Sequence, residues 1–148
     1  MKKQNTYYIV SGGFDPIHEG HIQMISESAK ASDGVIVLVN SDAWLCRKKG
    51  KNFYNINTRK VILENIKGVV DVLEFDDSDG SASDGIRIAR EKYPNAHLFF
   101  ANGGDRGKDN IPEGPACEEY GVDLVFGVGG DYKANSSSWI LENWKGQK

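Results

Sequence analysis

The uninterrupted apolar run Val35-Ile36-Val37-Leu38-Val39 is the feature that most restricts how this chain can fold. Most of its side chains branch at Cβ, and no polar residue alternates with them, which is typical of a strand buried on both faces. Such strands belong to parallel sheets that helices cover on both sides. The run therefore predicts an α/β protein in which strands and helices alternate along the chain.

The rest of the chain keeps that alternation. Four further apolar segments are predicted strands, at residues 7–10, 69–75, 97–101 and 122–126. Predicted helices, recognised by helical periodicity or by capping residues, separate these strands. They lie at residues 22–31, 57–66, 85–93 and 112–120, and a last predicted helix follows the fifth strand at residues 139–144. We therefore predict a single Rossmann-like domain over residues 1–148, with a five-stranded parallel sheet and helices on both faces.

Composition and charge argue against several classes of protein. The 148 residues carry a net charge of −3, whereas proteins that bind nucleic acid polymers generally present a basic surface. No apolar run approaches the length of a membrane span, and no signal peptide follows the charged N-terminus. Cys46 and Cys117 lie far apart in sequence, and we expect both to be free thiols in a reducing compartment. The sequence thus predicts a cytoplasmic protein that binds neither a membrane nor a nucleic acid polymer.

A turn rich in glycine and histidine follows the first predicted strand. It spans residues 11–21 and includes Gly12, Gly13, His18, Gly20 and His21. Ligands of parallel sheets bind beyond the carboxyl ends of the strands, which is where this turn lies. Because the first turn of a helix leaves backbone N–H groups without helical partners, the start of the following helix is a natural phosphate site.

The histidine pair is open to three interpretations. His18 and His21 are polar residues of a surface turn, or they are two ligands of a metal. Zinc would need at least one further ligand, and the only other histidine, His97, lies inside a predicted strand. In the third interpretation the two imidazoles donate hydrogen bonds to a phosphoryl group as negative charge builds on it, and Gly20 leaves room for its approach.

The turn resembles the G-x-F-D-x-x-H-x-G-H signature of the cytidylyltransferase-like nucleotidylyltransferases, which Gly12, Phe14, Asp15, His18, Gly20 and His21 match. Further segments are similar to that family in the same order along the chain. They comprise a second-strand and lysine-loop region, an R-K-x-I-L-E helix, a G-G-D turn and a serine-rich segment, at residues 39–50, 59–66, 103–105 and 136–138.

The resemblance implies a reaction and its substrates. A nucleoside monophosphate would pass from CTP or ATP to a small phosphomonoester such as glycerol 3-phosphate or a sugar phosphate, and pyrophosphate would be released. The acceptor phosphate would attack the α-phosphorus in line, without a covalent intermediate. The glycerol-phosphate and ethanolamine-phosphate members suggest CTP and the heptose-phosphate members ATP; we favour CTP. A Mg²⁺ ion bound mainly through the phosphates and water is implied, and a homodimer is expected only by analogy with the family.

The resemblance also implies roles for individual residues. Catalytic contacts to the triphosphate are implied for His18, His21, Lys48 and Arg59. Nucleotide contacts are implied at a larger set of positions: Gly12, Gly13, Phe14, Asp15, Gly20, Lys49, Gly104, Asp105, Ser136, Ser137 and Ser138. Acceptor contacts are implied for Arg106 and Lys133.

Several of these residues also have simpler explanations. The basic run at residues 47–51 is either an ordinary solvated loop or a mobile loop that closes over the triphosphate. Asp105 is compatible with turn formation alone, and residues 136–138 with a helix cap. The chain departs from the family at Trp139, where a basic residue is common, and at residues 130–133, which replace the usual Arg-Thr-Glu-Gly; Lys133 would restore the lost charge.

A second class of function keeps the fold without the reaction. A nucleotide-binding or sensor module would retain the sheet and the glycine-rich turn. Loss of a histidine would favour that alternative, and both histidines are present. The sequence therefore favours an enzyme.

Overall fold

The computed structural model describes residues 4–102 and 111–126. Within these residues, strands alternate with helices, and two helices separate the second strand from the third. The elements are β1 (Thr6–Gly12), α1 (Glu19–Lys30), β2 (Gly34–Val39), α2 (Asp42–Lys49), α3 (Ile56–Glu64), β3 (Val69–Glu74), α4 (Ser83–Lys92), β4 (His97–Ala101), α5 (Gly114–Tyr120) and β5 (Asp123–Val125).

The strands form one five-stranded parallel sheet in the order β3-β2-β1-β4-β5, which confirms the predicted fold class. The chain winds outward in one direction from β1 to β3 and in the other from β4 to β5. The turns that leave β1 and β4 therefore diverge, and a crevice opens beyond the carboxyl ends of these strands. This arrangement places the turn after β1 at the preferred ligand site of the fold.

Two apolar clusters cover the two faces of the sheet. On one face, Ile36 and Leu38 of β2 pack in a cluster with side chains of α4 and α5, such as Ile86. On the other face, Val37 lies in a cluster with side chains of α1 and α3, such as Leu63. Every residue of β2 is buried, as the apolar run at residues 35–39 predicts.

Helix α2 extends further than the sequence pattern indicates. The basic residues Arg47, Lys48 and Lys49, which we assigned to a loop, form the last turn of this helix. That prediction was wrong because cations interact favourably with the carbonyl groups at a helix C-terminus. Gly50 then ends the helix in the left-handed conformation, with φ of 89°, and its N–H donates to the Cys46 carbonyl.

Helix α1 begins earlier than predicted. It starts at Glu19, with His18 as the N-cap, so that His21 lies in the first helical turn. No helix in the described ranges combines the length and apolar composition required to cross a bilayer. The last predicted helix, at residues 139–144, lies outside the described residues.

Candidate active site

The turn between β1 and α1 has an unusual backbone. Phe14 has φ of 53°, in the left-handed region that residues with large side chains rarely adopt. Such conformations persist where the surrounding structure fixes them, and they are frequent at functional sites. The Phe14 side chain is buried and meets the His21 ring edge-on, with 4.9 Å between ring centroids.

Helix α2 packs directly on this turn. A Cβ atom at Gly13 would lie 2.8 Å from Leu45 Cδ2, closer than real side chains approach one another. The absence of a side chain at Gly13 therefore allows α2 to approach the turn, whatever nucleotide contact this glycine also makes. A Cβ at Gly12 would meet only the Phe14 ring, at 3.4 Å.

The two signature histidines stack on one another and bind the helix start. Their ring centroids are 3.9 Å apart, with 29° between the ring planes. His18 Nδ1 accepts a hydrogen bond from the Gly20 N–H at 3.1 Å, and His21 Nδ1 accepts one from the His18 N–H at 3.1 Å. The His21 N–H in turn donates to the His18 carbonyl.

These contacts fix where each neutral imidazole carries its proton. A ring nitrogen that accepts a hydrogen bond is unprotonated, so both rings carry their proton on Nε2. Burial lowers the pKa of His21 to about 3, and the nearby charges of His18 and Lys49 act in the same direction. His21 is therefore a neutral hydrogen-bond donor at physiological pH. The backbone N–H groups of His18, Gly20 and His21 all bond within the turn.

Lys49 reaches the same turn from the end of α2. Its Nζ donates to the Asp15 carbonyl at 3.1 Å, and burial lowers its pKa, with Asp15 opposing this effect and Lys48 and Arg59 adding to it. Lys48 Nζ lies over the Trp44 ring, 4.7 Å from its centroid. The structure therefore brings Lys49 beside the histidine pair, whereas Lys48 lies over an aromatic ring of its own helix.

Asp77 holds the other end of α2. This buried carboxylate, from the segment after β3, accepts from the Ser41 N–H at 2.8 Å, the Ser41 hydroxyl at 2.7 Å and the Asn40 amide at 3.1 Å. Ser41 is the N-cap of α2, and its Oγ accepts from the Trp44 N–H. Asp77 therefore fixes the start of the helix that carries the lysines. Asp77 was not among the predicted site residues, and no local sequence pattern distinguishes it from its acidic neighbours.

Asp15 is fully buried, and backbone groups occupy its carboxylate. Its two oxygens accept from the N–H groups of Phe53 and Tyr54, at 2.5 and 2.6 Å. These residues belong to the segment between α2 and α3. Asp15 thus attaches that segment to the histidine turn, and the nucleotide contact implied for it stays a prediction.

Arg59 is buried as well, and its guanidinium bonds to protein groups. Nη1 donates to the carbonyls of Gly13 and Asn40, Nε to that of Tyr54, and Nη2 to the Asp42 carboxylate. The side chain has no exposed surface. All of these partners are protein groups, whereas the resemblance implies that Arg59 contacts a phosphate of the nucleotide. The phosphate contact stays a prediction.

The remaining predicted site residues lie outside the described residues. They are Gly104, Asp105, Arg106, Lys133, Ser136, Ser137 and Ser138, together with Trp139. Their implied contacts to nucleotide and acceptor stay predictions.

A metal centre is not assembled in the described ranges, where no group of three or more His, Cys, Asp and Glu side chains could hold an ion. His97, the third histidine, lies on β4, and its Nε2 is 2.7 Å from the Asp123 carboxylate. Cys46 and Cys117 are free, the first exposed and the second buried.

Comparison with known proteins places this chain in a family. The cytidylyltransferase-like pattern matches residues 9–142. Glycerol-3-phosphate cytidylyltransferase from Bacillus subtilis (strain 168) is 34% identical over 73 residues, which cover 49% of this chain and 54% of that protein. The bifunctional protein HldE from Pseudomonas savastanoi pv. phaseolicola is 26% identical over 145 residues, which cover 93% of this chain and 27% of that protein. The chain thus spans about half of the first relative and about a quarter of the second.

Solved structures share the fold at lower identity. A bifunctional NMN adenylyltransferase/ADP ribose pyrophosphatase from Francisella tularensis has a TM-score of 0.68 at 16% identity, covering 97% of this chain and 43% of that one. A lipopolysaccharide core biosynthesis protein from Thermoplasma volcanium has a TM-score of 0.61 at 21% identity, covering 82% of this chain and 95% of that one. Since the family pattern spans most of the sequence, the chain belongs to the cytidylyltransferase-like family of nucleotidyltransferases.

Proposed function

We propose that this protein transfers a nucleoside monophosphate from a nucleoside triphosphate to a small phosphomonoester such as glycerol 3-phosphate or a sugar phosphate. CTP is the preferred candidate for the triphosphate, and ATP is the alternative. The observation that carries the proposal is the stacked pair His18 and His21, each with its proton on Nε2, at the start of α1. The preference for CTP rests on the glycerol-3-phosphate cytidylyltransferase relative.

The proposed step is a direct displacement at the α-phosphorus. A non-bridging oxygen of the acceptor phosphate forms a bond to the α-phosphorus, and the bond from that phosphorus to the oxygen bridging to the β-phosphate breaks. Pyrophosphate leaves with the bonding electrons. Such reactions depend mainly on positioning and on stabilising the charge that spreads over the oxygens of the transferred group.

The histidines and lysines would supply that stabilisation. The Nε2–H groups of His18 and His21 donate to oxygens on the α-phosphorus, and His21 does so as a neutral group because of its lowered pKa. Lys49, close enough to influence the pKa of His21, adds positive charge at the same place. Lys48, which lies over the Trp44 ring, is the second lysine for which we propose a contact to the triphosphate.

The Mg²⁺ ion that the resemblance implies would be held mainly through phosphate oxygens and water, as is usual for this ion beside bound phosphates. When bound, it would neutralise charge on the phosphates.

A pyrophosphate-release assay tests the function directly. CTP, ATP, GTP and UTP are each combined with glycerol 3-phosphate, ethanolamine phosphate and a panel of sugar phosphates, with Mg²⁺ present. We expect release with CTP and one class of acceptor, and none when the acceptor is omitted. Absence of release with every pair, from a folded protein, would falsify the proposed transfer. A higher kcat/KM with ATP than with CTP would overturn only the preferred nucleotide.

A further inference from the structure

Two buried side chains of opposite charge, Arg59 and Asp15, join segments that lie far apart in sequence. Arg59 bonds to Gly13 in the turn after β1, to Asn40 and Asp42 after β2, and to Tyr54 before α3. Four of the five N–H groups of the guanidinium are used in these bonds. The three segments therefore meet around one side chain.

The peptide groups of Tyr54 are held from both sides. Its N–H donates to the Asp15 carboxylate at 2.6 Å, and its carbonyl accepts from Arg59 Nε at 3.1 Å. The N–H of Phe53 donates to the other Asp15 oxygen. Since Asp15 lies in the histidine turn, the position of Phe53 and Tyr54 is tied to that turn through buried charge-assisted hydrogen bonds, which are stronger than neutral ones.

We propose that Arg59 and Asp15 are positioning residues that hold the segment around Phe53 and Tyr54 against the histidine turn, and that neither is a ligand of the nucleotide. The side chain of Arg59 has no exposed surface and Asp15 is fully buried, so a phosphate could reach neither without breaking the bonds described above. The part of the proposal that concerns activity rests on the proposed transfer reaction; the part that concerns the positions of the segments does not.

Substitution by lysine separates positioning from phosphate binding at Arg59. A lysine keeps the positive charge but lacks the planar fork that reaches several carbonyls at fixed angles. If Arg59 positions the segments, Arg59→Lys and Arg59→Met should both lower kcat/KM, by about 10²-fold, as expected for misplacement of reacting groups by about 1 Å. If Arg59 contacts phosphate, Arg59→Lys should retain most of the activity and Arg59→Met should not. That second result would overturn the proposal.

Amide hydrogen exchange tests the same claim without any activity. In Arg59→Lys and in Asp15→Asn, the N–H groups of Phe53 and Tyr54 should exchange at least about tenfold faster than in the native protein. Asp15→Asn removes one of their acceptor oxygens, and Arg59→Lys releases the Tyr54 carbonyl, so that the segment opens more often. Asp15→Asn keeps one carbonyl oxygen and can retain only part of the pair of bonds, so it provides a milder change if Arg59→Lys does not fold. Unchanged exchange at both residues in folded variants would overturn the proposal even if the enzyme is active.

Lys60 provides the matched control. It neighbours Arg59 on α3, but its ion pair with Glu74 is on the surface. We expect Lys60→Met to leave both kcat/KM and the amide exchange of Phe53 and Tyr54 unchanged. If Lys60→Met reproduces the effects of the Arg59 variants, the positive charge on α3 is responsible and not the hydrogen bonds of Arg59. If pyrophosphate release is absent from the native protein while the exchange results hold, the transfer reaction fails and the positioning role stands.

Discussion

His21 stacks on the ring of His18 and, through Nδ1, accepts a hydrogen bond from the backbone N–H of the same residue. Each imidazole thus uses Nδ1 within the turn and carries its proton on Nε2. The two functions of a single ring can therefore be separated by substitutions that reproduce only one nitrogen.

Asparagine at position 18 should preserve the helix cap and abolish the chemistry. The Oδ1 of asparagine can accept from the Gly20 N–H as Nδ1 does, and asparagine is a favourable N-cap residue. It has no counterpart of Nε2–H, so we expect His18→Asn to lower kcat by about 10²–10³-fold with little change in melting temperature. His18→Ala should lose the same activity and also about 1 kcal/mol of stability. Full activity in His18→Asn would exclude Nε2 from the reaction.

Acidification should destabilise the protein through His21. The folded state keeps the pKa of this ring at about 3, whereas the unfolded chain protonates near its ordinary value of 6.5. Below pH 6.5 the unfolded state therefore binds more protons than the folded state, and stability falls as the pH falls, by up to about 1.4 kcal/mol per pH unit. Urea unfolding of the native protein and of His21→Gln at pH 7 and pH 5 measures the effect.

The comparison of the two proteins isolates His21 from other titrating groups. Between pH 7 and pH 5, the difference in unfolding free energy should shift by about 2 kcal/mol in favour of His21→Gln, which has no proton to gain. A constant difference would mean that His21 titrates normally in the folded protein.

Removal of Asp77 should loosen the helix that carries the lysines. Asp77→Ala leaves the Ser41 N–H, the Ser41 hydroxyl and the Asn40 amide without their acceptor, so we expect a loss of about 2–3 kcal/mol in unfolding free energy. Because Lys49 lies on the same helix, calorimetric titration should also show weaker binding of CTP. Asp76→Ala, an exposed neighbour, is the control; equal effects from both variants would contradict this anchoring role.

A methyl group at Gly13 should be less well tolerated than one at Gly12. At Gly13 it would lie 2.8 Å from Cδ2 of the fully buried Leu45, whereas at Gly12 the nearest atom outside its neighbours is at 3.4 Å. We expect Gly13→Ala to cost about 1–3 kcal/mol, as overpacking of cores does, and Gly12→Ala less. In a double-mutant cycle, Leu45→Ala should partly relieve Gly13→Ala. Strictly additive effects would show that the two residues do not compete for space.

The fold could be predicted because its determinants are local in sequence. The run at residues 35–39 indicates a doubly buried strand without reference to any partner, and the other strands and helices follow in alternation. The end of α2 was missed because Arg47, Lys48 and Lys49 have no apolar periodicity, although basic residues followed by a glycine are a local signal for a helix C-terminus.

The histidine turn could be identified, but the bonds that support it could not. Asp77 reaches Ser41 over 36 residues of sequence and Arg59 reaches Gly13 over 46, and only the order of strands in the sheet brings these pairs together. The sequence indicates that Arg59 is important without distinguishing a phosphate contact from a set of carbonyl contacts. Burial, on which our proposal for Arg59 rests, is a property of the folded chain.

The attachment of Phe53 and Tyr54 has an evolutionary consequence. The bonds from Asp15 and Arg59 to Phe53 and Tyr54 involve main-chain atoms of those two residues, so the bonds themselves do not require particular side chains there. Phe53 and Tyr54 are both exposed, and proline is excluded because it lacks the N–H that Asp15 accepts. Variation at these two positions can therefore change the exposed surface beside the histidine turn while the bonds that hold the segment there are kept.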